Sequence, residues 1–203
     1  MGRLKQPEIR QRLLHACTDH VLEHGLPDRL APLAAAAGTS PRMLLYHFAT
    51  KDDLLRAVLR EARARQRRDV EQLLRPRPDE PYPATLRRVW TEMTDGPARR
   101  YVAVFNPLRE DADQRLWPGF RVEATTDWLE PLREGLAAVG RPELATVVLA
   151  VIRGLITDLE ATADRARTDR AWSDFVDLVD MGGVGGTLAG NPVSMAATRA
   201  CLE

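Results

Sequence analysis

The sequence predicts an all-α fold in two parts, a small N-terminal helix-turn-helix domain and a larger C-terminal helical domain. Three observations carry that expectation. Apolar residues recur at spacings of three and four along the long segments, and no stretch alternates as a strand would. Gly and Pro stand at the ends of those segments, where helices start and stop. Residues 38–51, Gly-Thr-Ser-Pro-Arg-Met-Leu-Leu-Tyr-His-Phe-Ala-Thr-Lys, read as a turn, a helix of about two turns, and the start of another helix.

The first helix is expected over residues 7–24. Pro7 opens it at a favoured position and Gly25 closes it. Ile9, Leu13, Ala16, Cys17 and Val21 mark its buried face. After Leu26-Pro27-Asp28 comes an alanine-rich helix over 29–37, with Leu30, Leu33 and Ala34 inward. Its small residues permit close approach to a neighbour. Gly38 can take the positive φ of a helix stop, Ser40 is a good N-cap, and Pro41 fits the first helical position. Thr50 with Asp53 three residues on forms the next capping pair. The third helix is therefore short. It carries Arg42, Tyr46 and His47, with Lys51 at its far edge, and the DNA major groove admits such a helix.

A long helix follows over 51–74. Leu54, Leu55, Val58, Leu59 and Ala62 pack on the helix-turn-helix, and the second half is Arg-rich. Residues 75–83 hold four prolines in nine positions, which excludes a regular element there. Helices are then expected at 84–95, at 98–105 up to Asn106-Pro107, and in the acidic stretch 107–116. After Trp117-Pro-Gly, one long helix kinked at Pro131 should run to Gly140. The most apolar helix is expected at 142–163 and the last clear one at 169–181. From Gly182 five glycines in nine residues imply a mobile tail, with a short helix at 193–201. The domain reading is 1–51 for the helix-turn-helix, 51–74 for a linking helix, 76–181 for the second domain and 182–203 for the tail.

Leu33-Ala34, Ala37-Gly38, Ser40, His47-Phe48, Lys51 and Leu54-Leu55 form a pattern. In it, region 7–60 resembles the DNA-binding domain of TetR-family transcriptional regulators. There are two departures. That family usually has Tyr where this chain has Leu45, with Tyr46 one place later. It also usually opens the second helix with Thr or Ser, where this chain has Arg29, with Pro32 in the first turn. The resemblance implies a ligand-responsive dimeric regulator, a repressor released from a palindromic operator in double-stranded DNA by a small apolar or aromatic effector. It implies a DNA-facing set of Arg29, Thr39, Ser40, Arg42, Met43, Tyr46, His47 and Lys51. Arg42 and Tyr46 would reach bases or a thymine methyl, with Thr39 and Ser40 near the backbone. Lys51 and His47 would meet phosphate or act in positioning, and His47 reads equally as a core residue beside Phe48.

Trp90, Met93, Tyr101, Phe105, Trp117, Phe120 and Trp128 gather aromatic bulk where three proline breaks also fall. Read alone, they fit an ordinary aromatic core; the resemblance makes them an effector pocket. In the 142–163 helix, Val148, Ile152, Leu155, Ile156 and Leu159 belong to an apolar stripe wider than a monomer surface helix needs. The stripe also reads as a helix buried inside its own domain; with Trp172 and Phe175 from the next helix, the resemblance makes these residues the family's dimerisation pair. Two copies are what a palindromic site requires.

Charge agrees with a polyanionic partner. Residues 1–75 carry 14 basic and 9 acidic residues, net +5, and the remainder 15 and 20, net −5. The bland alternative is that the Arg run from 56 to 68 only solvates one face of a long helix. Cys17 and Cys201 form no disulfide framework, and the N-terminus lacks a signal peptide, so a cytoplasmic setting is expected. The longest apolar run, 144–152, is too short to span a bilayer.

No catalytic constellation stands out, and no metal or cofactor is expected. His20 and His24 have helical metal spacing but lack a third ligand. Gly182-Gly-Val-Gly-Gly186 follows a helix rather than a strand, unlike a dinucleotide loop. The alternative to a regulator is a helical ligand-binding or adaptor protein with a vestigial DNA-binding domain, which the Leu45 departure keeps open.

Overall fold

The structure is a computed structural model and describes residues 7–180. Every regular element among them is helical: α1 (Pro7–His24), α2 (Leu30–Ala36), α3 (Pro41–Phe48), α4 (Lys51–Leu74), α5 (Tyr82–Thr94), α6 (Arg99–Glu110), α7 (Phe120–Thr126), α8 (Leu129–Ala137), a 3-10 turn (Pro142–Leu144), α9 (Ala145–Thr162) and α10 (Arg165–Asp180). The expected tail and its short helix lie outside the described residues.

The chain divides into two compact units. One holds the described residues up to Gln72 together with Glu92–Asp127. The other holds Leu73–Thr91 together with the described residues from Trp128.

In the first unit, Leu13, Cys17 and Val21 of α1, Leu33 and Ala34 of α2, Leu44 and Phe48 of α3, and Leu54, Val58 and Leu59 of α4 are all buried, and α2 packs on both α1 and α3. The Cys17 thiol donates to the Leu33 carbonyl at 3.7 Å, so α1 and α2 are joined by a hydrogen bond as well as by packing. Buried Thr18 returns its hydroxyl to the Leu14 carbonyl at 2.8 Å and leaves no unpaired donor. α6 packs on α1 and α7 on α6.

In the second unit, α8, α9 and α10 pack in sequence. Trp90 and Trp172 stack with ring centroids 5.7 Å apart, and Phe175 lies 5.7 Å from Trp172. The Trp172 indole donates to the Leu86 carbonyl and that of Trp90 to Asp169. The Tyr82 ring lies directly against Gly135. A Cβ on Gly135 would come within 2.0–2.2 Å of that ring, so only glycine fits.

Several expected boundaries move: α5 starts at Tyr82, inside the proline-rich stretch, with Pro83 in its first turn, and α10 starts at Arg165 rather than 169. α6 does not stop at Asn106 but carries Pro107 inside it and ends at Glu110, since Val104, Phe105 and Leu108 are all buried on one face. The stretch after it, 111–119, is turns and bends rather than helix. The long kinked helix is two helices, α7 and α8. Pro131 has no N–H to return to Asp127, so it falls in the first turn of α8, and the break precedes it.

Candidate nucleic-acid interface

α3 is fixed at both ends by its own sequence. Ser40 is extended (φ −101°, ψ 155°), and its hydroxyl accepts from the Met43 N–H at 3.3 Å, with Pro41 in the first turn. At the far end Ala49 has φ 67° and ψ −63°, and the Thr50 N–H bonds the Phe48 carbonyl across it at 2.9 Å. This is a γ-turn, a strained geometry for a residue with a Cβ. α4 then begins on the expected capping pair: the Thr50 hydroxyl donates to Asp53 at 2.7 Å and accepts from its N–H at 3.0 Å. The Thr50 hydroxyl, and then Arg56, hold the Asp53 carboxyl below the usual carboxylate range.

Leu44, His47 and Phe48 anchor the inner face of α3 at 0, 6 and 4% exposure. Arg42, Met43, Leu45 and Tyr46 stand outward; the last three are 42, 38 and 44% exposed. At 100° per residue, Arg42 and Tyr46 occupy the middle of that face, and Leu45 and Met43 flank it. Arg29 at the N-cap of α2 and Ser40 are also exposed, and Thr39 is half-buried.

Two expected phosphate residues sit differently from the rest. His47 is a core residue: its Nδ1 is buried without a hydrogen-bond partner, and its ring meets Tyr46 edge-on at 5.1 Å. Lys51 is half-buried, and its ammonium donates to the Asp28 carbonyl, closing the loop between α1 and α2 onto α4. Leu45 is the residue that sequence reading missed. It entered only as a departure from a pattern, although its helical position beside Arg42 places it on the outer face.

The aromatic residues fall in both units. Phe105, Trp117 and Phe120 form one cluster in the first unit, with centroid distances of 5.4 and 5.2 Å from Phe120. Trp117 is half-buried and its indole donates to Glu123. Tyr101 is buried; its hydroxyl donates to Asp69, and burial raises its pKa. Met93 is half-buried in the same unit, whereas Trp90 and Trp128 are buried in the second. A cleft of about 630 Å³ opens between α1 and the start of α6, lined by residues including Asp19, Glu23, Arg99 and Arg100 and by none of those seven.

Of the expected dimer residues, Val148, Ile152, Ile156 and Trp172 turn inward, with 1–6% exposure, because α8 and α10 cover that side of α9. Leu155, Leu159 and Phe175 are half-buried. The outward apolar face comprises Val147, 45% exposed, Val151 and the expected Leu155 on α9, and Leu178, 56% exposed, on α10.

The His20 and His24 rings stack at 4.5 Å. No group of three His, Cys, Asp or Glu residues that could hold a metal occurs among the described residues. No helix among them is long and apolar enough to cross a membrane.

No protein-family model matches this chain, and no curated protein matches it. Solved structures do. The multidrug binding protein EbrR complexed with imidazole superposes with a TM-score of 0.59 at 24% identity, over 88% of this chain and 93% of that one. The SmeT-triclosan complex gives 0.58 at 17%, over 83% and 90%. Salmonella enterica GusR gives 0.58 at 18%, over 88% and 98%. The fold of this chain is theirs.

Proposed function

We propose that this chain is a TetR-type transcriptional regulator: a cytoplasmic homodimer that represses by binding a palindromic operator and lets go when a small apolar or aromatic effector binds. The observation that carries this reading is α3. It is capped at both ends, anchored by Leu44, His47 and Phe48, and presents Arg42, Met43, Leu45 and Tyr46 outward within residues 1–75, whose net charge is +5. A rigid helix of eight residues with a cation at the centre of its outer face suits the major groove. Regulators of this fold act by binding rather than by catalysis.

The homodimer reading rests on the outward stripe of α9 and α10. Gly154 sits in that stripe, and a Cβ added there would meet nothing within 4 Å. Glycine inside a helix costs about 1 kcal/mol relative to alanine, and nothing within its own protomer requires it. Close approach of a second α9 does. Two copies would set two reading helices roughly 34–36 Å apart, one turn of DNA.

The effector reading rests on the Phe105, Trp117 and Phe120 cluster, with Met93 and Tyr101 in the same unit. EbrR and SmeT were captured with imidazole and triclosan, both small aromatic molecules. An effector acts only through its differential affinity for the two states.

Selection of bound DNA from a random pool at low salt tests the function. A regulator enriches an inverted repeat and loses affinity steeply as salt rises. A vestigial domain on an adaptor protein, the reading favoured by Leu45 at the usual tyrosine position, enriches nothing.

A further inference from the structure

The outer face of α3 is largely apolar. Arg42 and Tyr46 lie at its centre, and Met43 and Leu45 flank them with about two-fifths of their surface in water. All three exposed large apolar or aromatic side chains of α3 lie on this one face, whereas Leu44 and Phe48 are buried. Leu45 has no hydrogen-bonding group, and the Met43 thioether is only a weak acceptor. Neither can replace water around a phosphate oxygen or pair with the polar edge of a base. Pressed against such groups, they would strip water and return nothing. Of the groups that line the major groove, the one apolar protrusion is the C5-methyl of thymine.

We propose that Leu45 and Met43 are specificity-determining residues that read thymine methyl groups on either side of the base contacted by Arg42. This rests on the DNA-binding reading above and names what the bound half-site contains: a base pair read by the Arg42 guanidinium, flanked by thymines. Charge supports DNA as the occupant of this face. Arg42 stands at its centre and exposed Arg29 belongs to the same helix-turn-helix, in the basic half of the chain.

The test replaces thymine by uracil, which deletes only the methyl group. After the preferred site is selected from a random pool, each thymine of the half-site is changed in turn and binding to the full-length dimer is measured. Uracil at one or two positions should weaken wild-type binding by about fourfold per methyl lost from contact. In Leu45→Ala or Met43→Ala, one of those positions should become indifferent to the change, while other positions respond as in wild type. Both side chains are exposed, so circular dichroism should match wild type in both variants. Wild-type binding indifferent to uracil at every position overturns the proposal while leaving DNA binding intact. A uracil effect that survives unchanged in both variants overturns it as well. A pool with no enriched sequence overturns the DNA-binding reading and this proposal with it.

Discussion

The Arg63 guanidinium donates to the Asp127 carboxylate at 2.9 Å and to Gln66 at 2.5 Å, tying the middle of α4 to the end of α7 within the first unit. Arg63 is only 5% exposed, and the rings of Phe105 and Phe120 lie 5.7 and 5.6 Å from its charge. Burial pulls its pKa down, and Asp127 opposes that pull. Removing one partner of such a pair leaves a buried charge without its counter-ion. Asp127→Ala should cost about 3 kcal/mol, the low end for buried pairs because Asp127 keeps some contact with water. Replacing both, as Arg63→Met with Asp127→Ala, should cost less than Asp127→Ala alone. Urea melts read both values, and a single variant as stable as wild type would show that water, not Asp127, neutralises Arg63.

Cys17 supplies a probe of the helix-turn-helix core. It is fully buried, and burial raises its thiol pKa from about 9 to about 11. The thiol form is the one favoured by folding. Its contribution to stability is present below the unfolded value near 9 and is lost as pH rises through about 11. In a Cys201→Ser background at pH 8, alkylation of Cys17 should be slow and should follow the rate of unfolding. Rapid alkylation at the rate of a free thiol would mean that α1 and α2 open locally.

Ala49 holds the turn between α3 and α4 at φ 67°, where a Cβ is strained. Ala49→Gly should stabilise the chain by about 1 kcal/mol, less the entropy glycine adds to the unfolded state. Ala49→Val should destabilise it, since a branched Cβ fits that turn worse still. Thermal melts decide, and a Gly variant less stable than wild type would refute the strain.

The helix-turn-helix was legible because its punctuation is local. Ser40, Pro41, Thr50 and Asp53 each act on groups within three residues of themselves, and each sits as its sequence neighbours require. Pro107 and Pro131 misled because a proline states only which bond is lost. At 107 the helix carries the loss, with Phe105 and Leu108 buried on one face, whereas at 131 the loss falls in the first turn of α8, just after the break from α7. Arg63 was read with its Arg-rich neighbours as part of a solvated or DNA-attracting face, since only the approach of α7 turns it into a buried ion. α9 is apolar on two sides. Periodicity finds both, but it cannot tell which side α8 and α10 cover. The residues first assigned to a second protomer were therefore mainly the inward ones.

Arg42 and Lys51 should fail differently when truncated. Arg42→Ala should lose about 1–3 kcal/mol of discrimination at one base pair per half-site and relax the selected sequence there. Lys51 is held on the Asp28 carbonyl. If it also meets a phosphate, Lys51→Ala should weaken all sequences alike and lower the salt slope by about one per subunit. If it serves only as a clamp, Lys51→Ala should lower the melting temperature and leave the slope unchanged. Measuring slope and melting temperature on one sample separates the two roles.

The dimer can be tested without disturbing the fold, because the structure separates surface from core on α9 and α10. Leu178 and Val147 are 56 and 45% exposed, so a charge at either meets water in an isolated protomer. Leu178→Arg and Val147→Glu should keep wild-type helix content and melting temperature at low concentration. Each should shift light scattering from dimer to monomer and reduce binding to a palindromic site to the weak level of a single half-site. Ile152→Glu makes the contrast. Ile152 is 6% exposed in its own protomer, and an unpaired charge there should unfold the second unit outright. Both surface variants remaining dimeric would move the interface elsewhere. A wild type that is monomeric at micromolar concentration would end the dimer reading, and with it the explanation for Gly154.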